Sequence, residues 1–143
     1  MQRYSRWIGV IVLATIAGVL WLSAQSPKRS GTYYVYILSD DPWRVSTAVT
    51  MASVAKSRGY EVIVHLSARG VKLADKRNPN DALAEARQNL QALIREGVKV
   101  YVCPRNSARA GMKVPDDWIS GVLRGVPETV DIQMRHDTQV VTF

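Results

Sequence analysis

The chain is short of the residues that build covalent or metal frameworks. Its single cysteine, Cys103, excludes an intramolecular disulfide and any all-cysteine zinc site. Two histidines, His65 and His136, are too few for a self-contained zinc centre, so no metal is expected. Neither the dinucleotide pattern GxGxxG nor the glycine-rich P-loop pattern occurs, which removes the backbone cradle that phosphates need; no nucleotide cofactor is expected. No nucleophile elbow supports a Ser-His-Asp triad. Basic runs are missing as well. The 19 Lys and Arg against 12 Asp and Glu give a net charge of +7, but acids interleave throughout, which argues against nucleic acid. There is no internal repeat and no low-complexity segment.

What the sequence does have is a hydrophobic content of 47% in 143 residues, enough for one ordered core and not for two. That content is unevenly spread. From Trp7 to Ala24 the chain reads WIGVIVLATIAGVLWLSA without a charge, against about 20 residues needed to cross a bilayer. Arg3 and Arg6 precede it, and Trp7 and Trp21 sit where amphipathic rings favour a membrane interface. Cleavage after Ala24 would place Leu22 where a small residue is wanted, and cleavage after Ser26 would meet Pro27. An uncleaved anchor over residues 1–26 is therefore expected, with membrane contact through residues 7–24. The following domain is expected to be tethered to the inner membrane in the periplasm or outside; secretion after signal cleavage is the alternative. The remaining net positive charge suits a place near anionic headgroups.

Residues 27–32 form a short linker containing Pro and Gly. Strand-like and helix-like runs then alternate. YYVYIL (Tyr33 to Leu38) has the continuous apolar character of a strand buried on both faces. Asp40 and Asp41 suit a helix start, and Val45, Ala48, Val49, Ala52 and Ala55 keep a helical stripe to Arg58. EVIVHL (Glu61 to Leu66) is a second strand. Asn78-Pro79 offers a cap for a helix carrying Leu83, Ala86, Leu90, Leu93 and Ile94 as far as Gly97. Val98 to Val102 is a third strand, Pro115 to Leu123 a short acid-led helix, and Val130 to Met134 and Gln139 to Phe143 two last strands. This alternation implies right-handed crossovers and a mostly parallel sheet with helices on both faces.

In such a sheet, ligands gather beyond the carboxyl ends of the strands. Cys103 stands there, at the end of the third strand. Arg105 and Arg109, with a helical turn starting near Asn106-Ser107, would stabilise a thiolate. Position alone leaves two readings open: a reactive thiol, or a small packed hydrophobe, as most free cysteines are. His65 reads as a satisfied core or rim histidine, and His136-Asp137 as an exposed turn. Asp40 and Asp41 read as capping groups, and Trp43 and Trp118 as packing or subunit-contact residues.

The stretch EGVKVYVCPRNSARAGMKVPDDWISGVLRGV (Glu96 to Val126) resembles the DsrE/DsrF-like family. There, a strand ends in Cys and is followed by a short loop, a Gly and an acid-led helix closing near Gly-Val. VIVHLSARGVKLA is similar to the family's second strand–helix junction, and QVVTF to its closing strand. The resemblance covers residues 33–143. It implies a three-layer α/β/α domain with a mostly parallel five-stranded sheet and assembly into homotrimers or hexamers. It also implies a persulfide-accepting role for a cysteine at the place of Cys103, in exchange with a sulfur donor or acceptor protein. With one cysteine, any relay must hand sulfur to another molecule. The rival reading is a non-catalytic oligomeric binding or assembly module in which Cys103 is merely structural.

Overall fold

The computed structural model describes residues 29–77, 79, 81–125 and 127–143. The expected anchor over 1–26 and most of the linker lie outside the described residues, as does the proposed cap Asn78. Among the described residues no helix is long and apolar enough to cross a membrane.

Five strands form one sheet in the order β4-β3-β2-β1-β5, and every neighbouring pair is parallel. The strands are β1 (Thr32–Ile37), β2 (Glu61–Leu66), β3 (Lys99–Val102), β4 (Leu123–Arg124) and β5 (Thr138–Thr142). The helices are α1 (Pro42–Ser57), α2 (Ala84–Arg95), α3 (Pro104–Arg109) and α4 (Glu128–Gln133), with a 3-10 helix over Ala68–Ala74. The parallel α/β expectation is met.

One side of the sheet buries Val35 and Ile37 of β1, Val62, Val64 and Leu66 of β2, and Val100 and Val102 of β3. Against them pack Val45, Ala48, Val49 and Ala52 of α1 and Leu90 and Leu93 of α2. Asp41 starts α1 as the sequence suggested: its carboxylate accepts from the Arg44 N–H at 3.0 Å. Asp40 turns instead to Arg69 and Lys72, and the Lys72 ammonium, helped by Arg69, holds its carboxyl below the usual range.

The strand order explains the opposite side. Strands β1 to β4 step in one direction, so right-handed crossovers place their helices on the same face; β5 returns to the other edge of β1, and its crossover must pass over the other face. That helix is α4, whose Gln133 amide donates to the Tyr34 hydroxyl at 2.9 Å. The expectation of helices on both faces thus holds unevenly: two long helices cover one side and a single six-residue helix covers part of the other.

Three local expectations fail. α2 begins at Ala84 rather than near Pro79, with Leu83 as its N-cap residue; ahead of it Asp81 makes a turn in which its side chain accepts from Leu83 N–H at 2.9 Å and its carbonyl from Ala84 N–H at 3.0 Å. Residues 115–122 form turns and one bridge rather than a helix, and Leu123 already belongs to β4. Trp118 bridges Asp75, and the Ile119 N–H is spent on the Ala74 carbonyl at 2.8 Å, outside any helical ladder. Val130 to Met134 is helical, not extended: buried Thr129 and half-buried Ile132 and Gln133 keep helical spacing, while Val130 and Met134 face out.

Candidate functional site

β3 ends at Val102, and Cys103 follows as the residue that starts α3. Its backbone is held on both sides. The N–H donates to the Leu66 carbonyl at 3.0 Å, extending the pairing with β2 by one step, and the carbonyl accepts from Ser107 N–H and Ser107 Oγ, each at 3.0 Å. Pro104 at the first helical position loses no bond there and presets the helical φ. The thiol makes no capping hydrogen bond and is half-buried, its inner side packed against the main core.

The support beneath this turn is Ser107. Fully buried, it accepts from the Trp118 indole N–H at 3.0 Å while donating to Cys103. Ser107→Ala should therefore lower unfolding stability by about 1–3 kcal/mol, because it strands a buried indole N–H. Adding Trp118→Phe should cost less than its effect in the wild-type background, since the donor disappears with it. Equal costs in the two backgrounds, read from urea unfolding midpoints, would remove Ser107 as the support of this turn.

α3 divides the carboxyl end of the sheet into two clefts. Cys103 opens into one of about 770 Å³ lined also by Arg105, Ala108, Met112, Val114 and Arg124. Arg109 lines the other, about 480 Å³, with Arg69, Lys72 and Asn106; the Asn106 amide donates to Ser67 Oγ at 2.9 Å and ties α3 to the end of β2. Cys103 and Arg105 are thus brought into one cleft, and Arg109 is set in its neighbour. The second cation of the Cys103 cleft is Arg124, which sequence reasoning did not select. Its register opposite Val102 on β3 puts it beside the strand end. The only sequence signal was the apolar Val122-Leu123 pair ahead of it.

The other candidates fall elsewhere. His65 is 4% exposed on the opposite face of the sheet, its Nδ1 hydrogen-bonded at 2.8 Å to the Tyr34 hydroxyl and its ring stacked on Tyr36 at 4.8 Å. Its Nε2 is buried without a hydrogen-bond partner, and burial depresses its pKa to about 4. His136 is exposed. Trp118 is core, whereas Trp43 is 83% exposed. Among the described residues no group of three or more His, Cys, Asp or Glu could hold a metal ion.

The chain is a small, wholly parallel α/β domain in which one cysteine and two arginines line a single cleft at the strand ends. The profile of the DsrE/DsrF-like family matches residues 32–143, and the chain belongs to that family. Its fold is similar to that of a protein of unknown function from Methanobacterium thermoautotrophicum (TM-score 0.64, 16% identity, 78% of this chain and 98% of that one). It is also similar to that of the ychN protein of E. coli (TM-score 0.65, 18% identity, 80% of this chain and 100% of that one). No curated protein matches the chain.

Proposed function

We propose that the chain is a membrane-anchored sulfur carrier or thiol-exchange protein with Cys103 as its persulfide acceptor. The observation that carries this reading is the half-exposed Cys103 thiol opening into a cleft with Arg105 and Arg124. Membership of a family associated with sulfur relay points the same way. In the forward step the Cys103 thiolate attacks the outer sulfur of a donor persulfide. A new S–S bond forms at Cys103, the donor S–S bond breaks, and the donor leaves as a thiolate. An acceptor thiolate then attacks the outer sulfur on Cys103 and restores the thiol, with no net oxidation across the cycle. Arg105 and Arg124 serve as counter-charges for the anionic sulfur. Because Cys103 is the chain's only cysteine, donor and acceptor are separate molecules, and an intramolecular disulfide cannot intercept the persulfide.

The apolar segment 7–24 tethers the domain to the inner membrane, with the sulfur site in the periplasm or outside, and the domain works as a homotrimer or hexamer. A second reading, an assembly module with a structural Cys103, draws on the packing of the Cys103 inner side against the core.

The test is direct. Incubated with a protein or small-molecule persulfide, the full chain should gain the mass of one sulfur atom, mapped to the peptide holding Cys103, and lose it to a thiol acceptor. Cys103→Ser should gain none. A folded wild-type chain that takes up no sulfur would sink the carrier reading and leave the structural one.

A further inference from the structure

We infer that the end of the domain opposite Cys103 is a docking face for an anionic lipid surface, which holds the domain upright and turns the sulfur site away from the bilayer. The inference rests on the anchor reading above and adds the orientation that reading leaves open.

The chain enters the domain at a fixed corner. Arg29 N–H donates to the Gly59 carbonyl at 3.0 Å, and the Arg29 guanidinium lies over the Tyr60 ring at 5.6 Å from its centroid. From Ala24, the last residue of the apolar stretch, to Arg29 even a fully extended chain spans at most about 18 Å. A domain tethered this closely cannot hold that corner far from the headgroups.

The same corner has the chemistry of a membrane surface. An apolar groove of about 460 Å³ runs along it, lined by Tyr33, Met51, Val54, Ala55 and Tyr60, with Met51 43% and Val54 46% exposed. Beside it lies a polar cleft lined by Lys56, Glu61 and Lys99 that shares Tyr60 with the groove. Arg29, Lys56, Arg58, Arg95 and Lys99 gather at this end and form no ion pair among the described residues. Of the acids there, Glu61 and Asp137 are both engaged by Arg135, which leaves Glu96. Cations at the ends of α1 and α2 also complement the helix dipoles. Arg29 and Lys99 have no such role, since each stands ahead of or at the start of a strand. An apolar groove with Arg58 and Asp137 in its wall, beside a cleft carrying Lys56 and Lys99, suits an interfacial contact with anionic lipid.

The parallel sheet then sets the direction of the site. All five strands point the same way, and β2 from Glu61 to Leu66 rises about 17 Å. Cys103, bonded to the Leu66 carbonyl, lies at the far end, open to a soluble partner.

The experiment uses the full chain in phosphatidylglycerol vesicles, with phosphatidylcholine vesicles for comparison. A nitroxide on Cys103 of the wild-type chain, or on Val54→Cys in the Cys103→Ser background, reports collision with oxygen from lipid and with a water-soluble relaxant. The Val54 label should be lipid-accessible in phosphatidylglycerol and the Cys103 label water-accessible. Each basic side chain at an anionic surface strengthens contact about fivefold, so Lys56→Glu with Lys99→Glu should abolish the Val54 contact while the chain still sediments with the vesicles. Sedimentation with a water-exposed Val54 label, or a Cys103 label deeper than the Val54 label, overturns the docking face and leaves the anchor standing. Failure to sediment at all overturns both.

Discussion

Gly70→Ala should destabilise the domain by about 3 kcal/mol or more, one of the largest effects available from a single methyl group. A Cβ built at Gly70 would stand 2.2 Å from the Ile37 carbonyl oxygen and 2.8 Å from its carbon. Both are backbone atoms at the end of β1, a strand paired on both sides, so no rotamer change relieves the contact. The approach is this close because the 3-10 helix is stitched to the end of β1. Arg69 N–H and Gly70 N–H both reach the Leu38 carbonyl, at 3.0 and 3.1 Å, and Ser67 N–H reaches Ile37 at 3.0 Å. Pushing Gly70 outward lifts Val71 and Leu73, both fully buried, from the core. It also strains the Leu73 carbonyl that accepts from the buried Arg87 guanidinium at 3.1 Å. Gly97→Ala is the control. Gly97 has a φ of +86 and nothing within 4 Å of an added Cβ, so only the left-handed backbone is penalised, at about 1 kcal/mol. Urea unfolding followed by circular dichroism should show the Gly70 midpoint far below the Gly97 one. Equal shifts would mean that the 3-10 helix is not held against β1 in solution.

Gly70 also marks where the sequence stops being legible. β1, β2 and β3 announce themselves as apolar, β-branched runs, and α1 and α2 as helical stripes, because those patterns record burial directly. The 3-10 helix leaves no such record. ARGVKLA is held by the Leu38 carbonyl just past β1 and by Arg87, contacts 14 or more residues away. The segment around Pro115 misleads for the same reason: its acids resemble a helix start, yet Asp117 accepts from the Lys113 N–H at 2.7 Å and the chain is tied back to Ala74. VDIQM (Val130 to Met134) reads as a strand by composition, and only its crossover to the far side of the sheet makes it a helix.

The site follows the same division. That Cys103 would stand at a strand end was legible from VKVYV ahead of it. Which arginine would share its cleft was not, since Arg105 and Arg109 lie one helical turn apart on a helix that separates two clefts. Arg124 arrives through the pairing of a two-residue strand, and no local pattern predicts a strand so short. The anionic-sulfur reading therefore rests on Arg105 and Arg124 together, and only the fold could pair them.

Stability should also fall between pH 6.5 and about 4, and His65 should be the cause. The Gln133 amide donates to the Tyr34 hydroxyl, and the hydroxyl shares a hydrogen bond of 2.8 Å with His65 Nδ1. The other ring nitrogen, Nε2, is buried without a hydrogen-bond partner and faces Gly125, whose added Cβ would lie 3.1 Å from it. The aromatic neighbours, Tyr34 edge-on at 6.1 Å and Tyr36 stacked at 4.8 Å, bring no negative charge, and the Tyr34 phenol is itself pushed up to about 12, chiefly by burial. Protonation would place a cation in an apolar layer, so burial lowers the His65 pKa from 6.5 to about 4. The unfolded chain takes up a proton below 6.5 that the folded chain refuses until about 4. Stability is therefore complete above 6.5 and declines as pH falls through that window, by about 3 kcal/mol in all. Asp40, Glu61 and Asp75 have depressed pKa values, so their losses share this sign but fall at lower pH. In His65→Asn, whose side-chain amide keeps a hydrogen-bond partner for Tyr34, the upper window should be flat while the acid limb remains. Urea unfolding of both proteins at intervals across that range decides it: a flat wild-type profile, or the same slope in the variant, would mean that His65 is not a buried neutral imidazole.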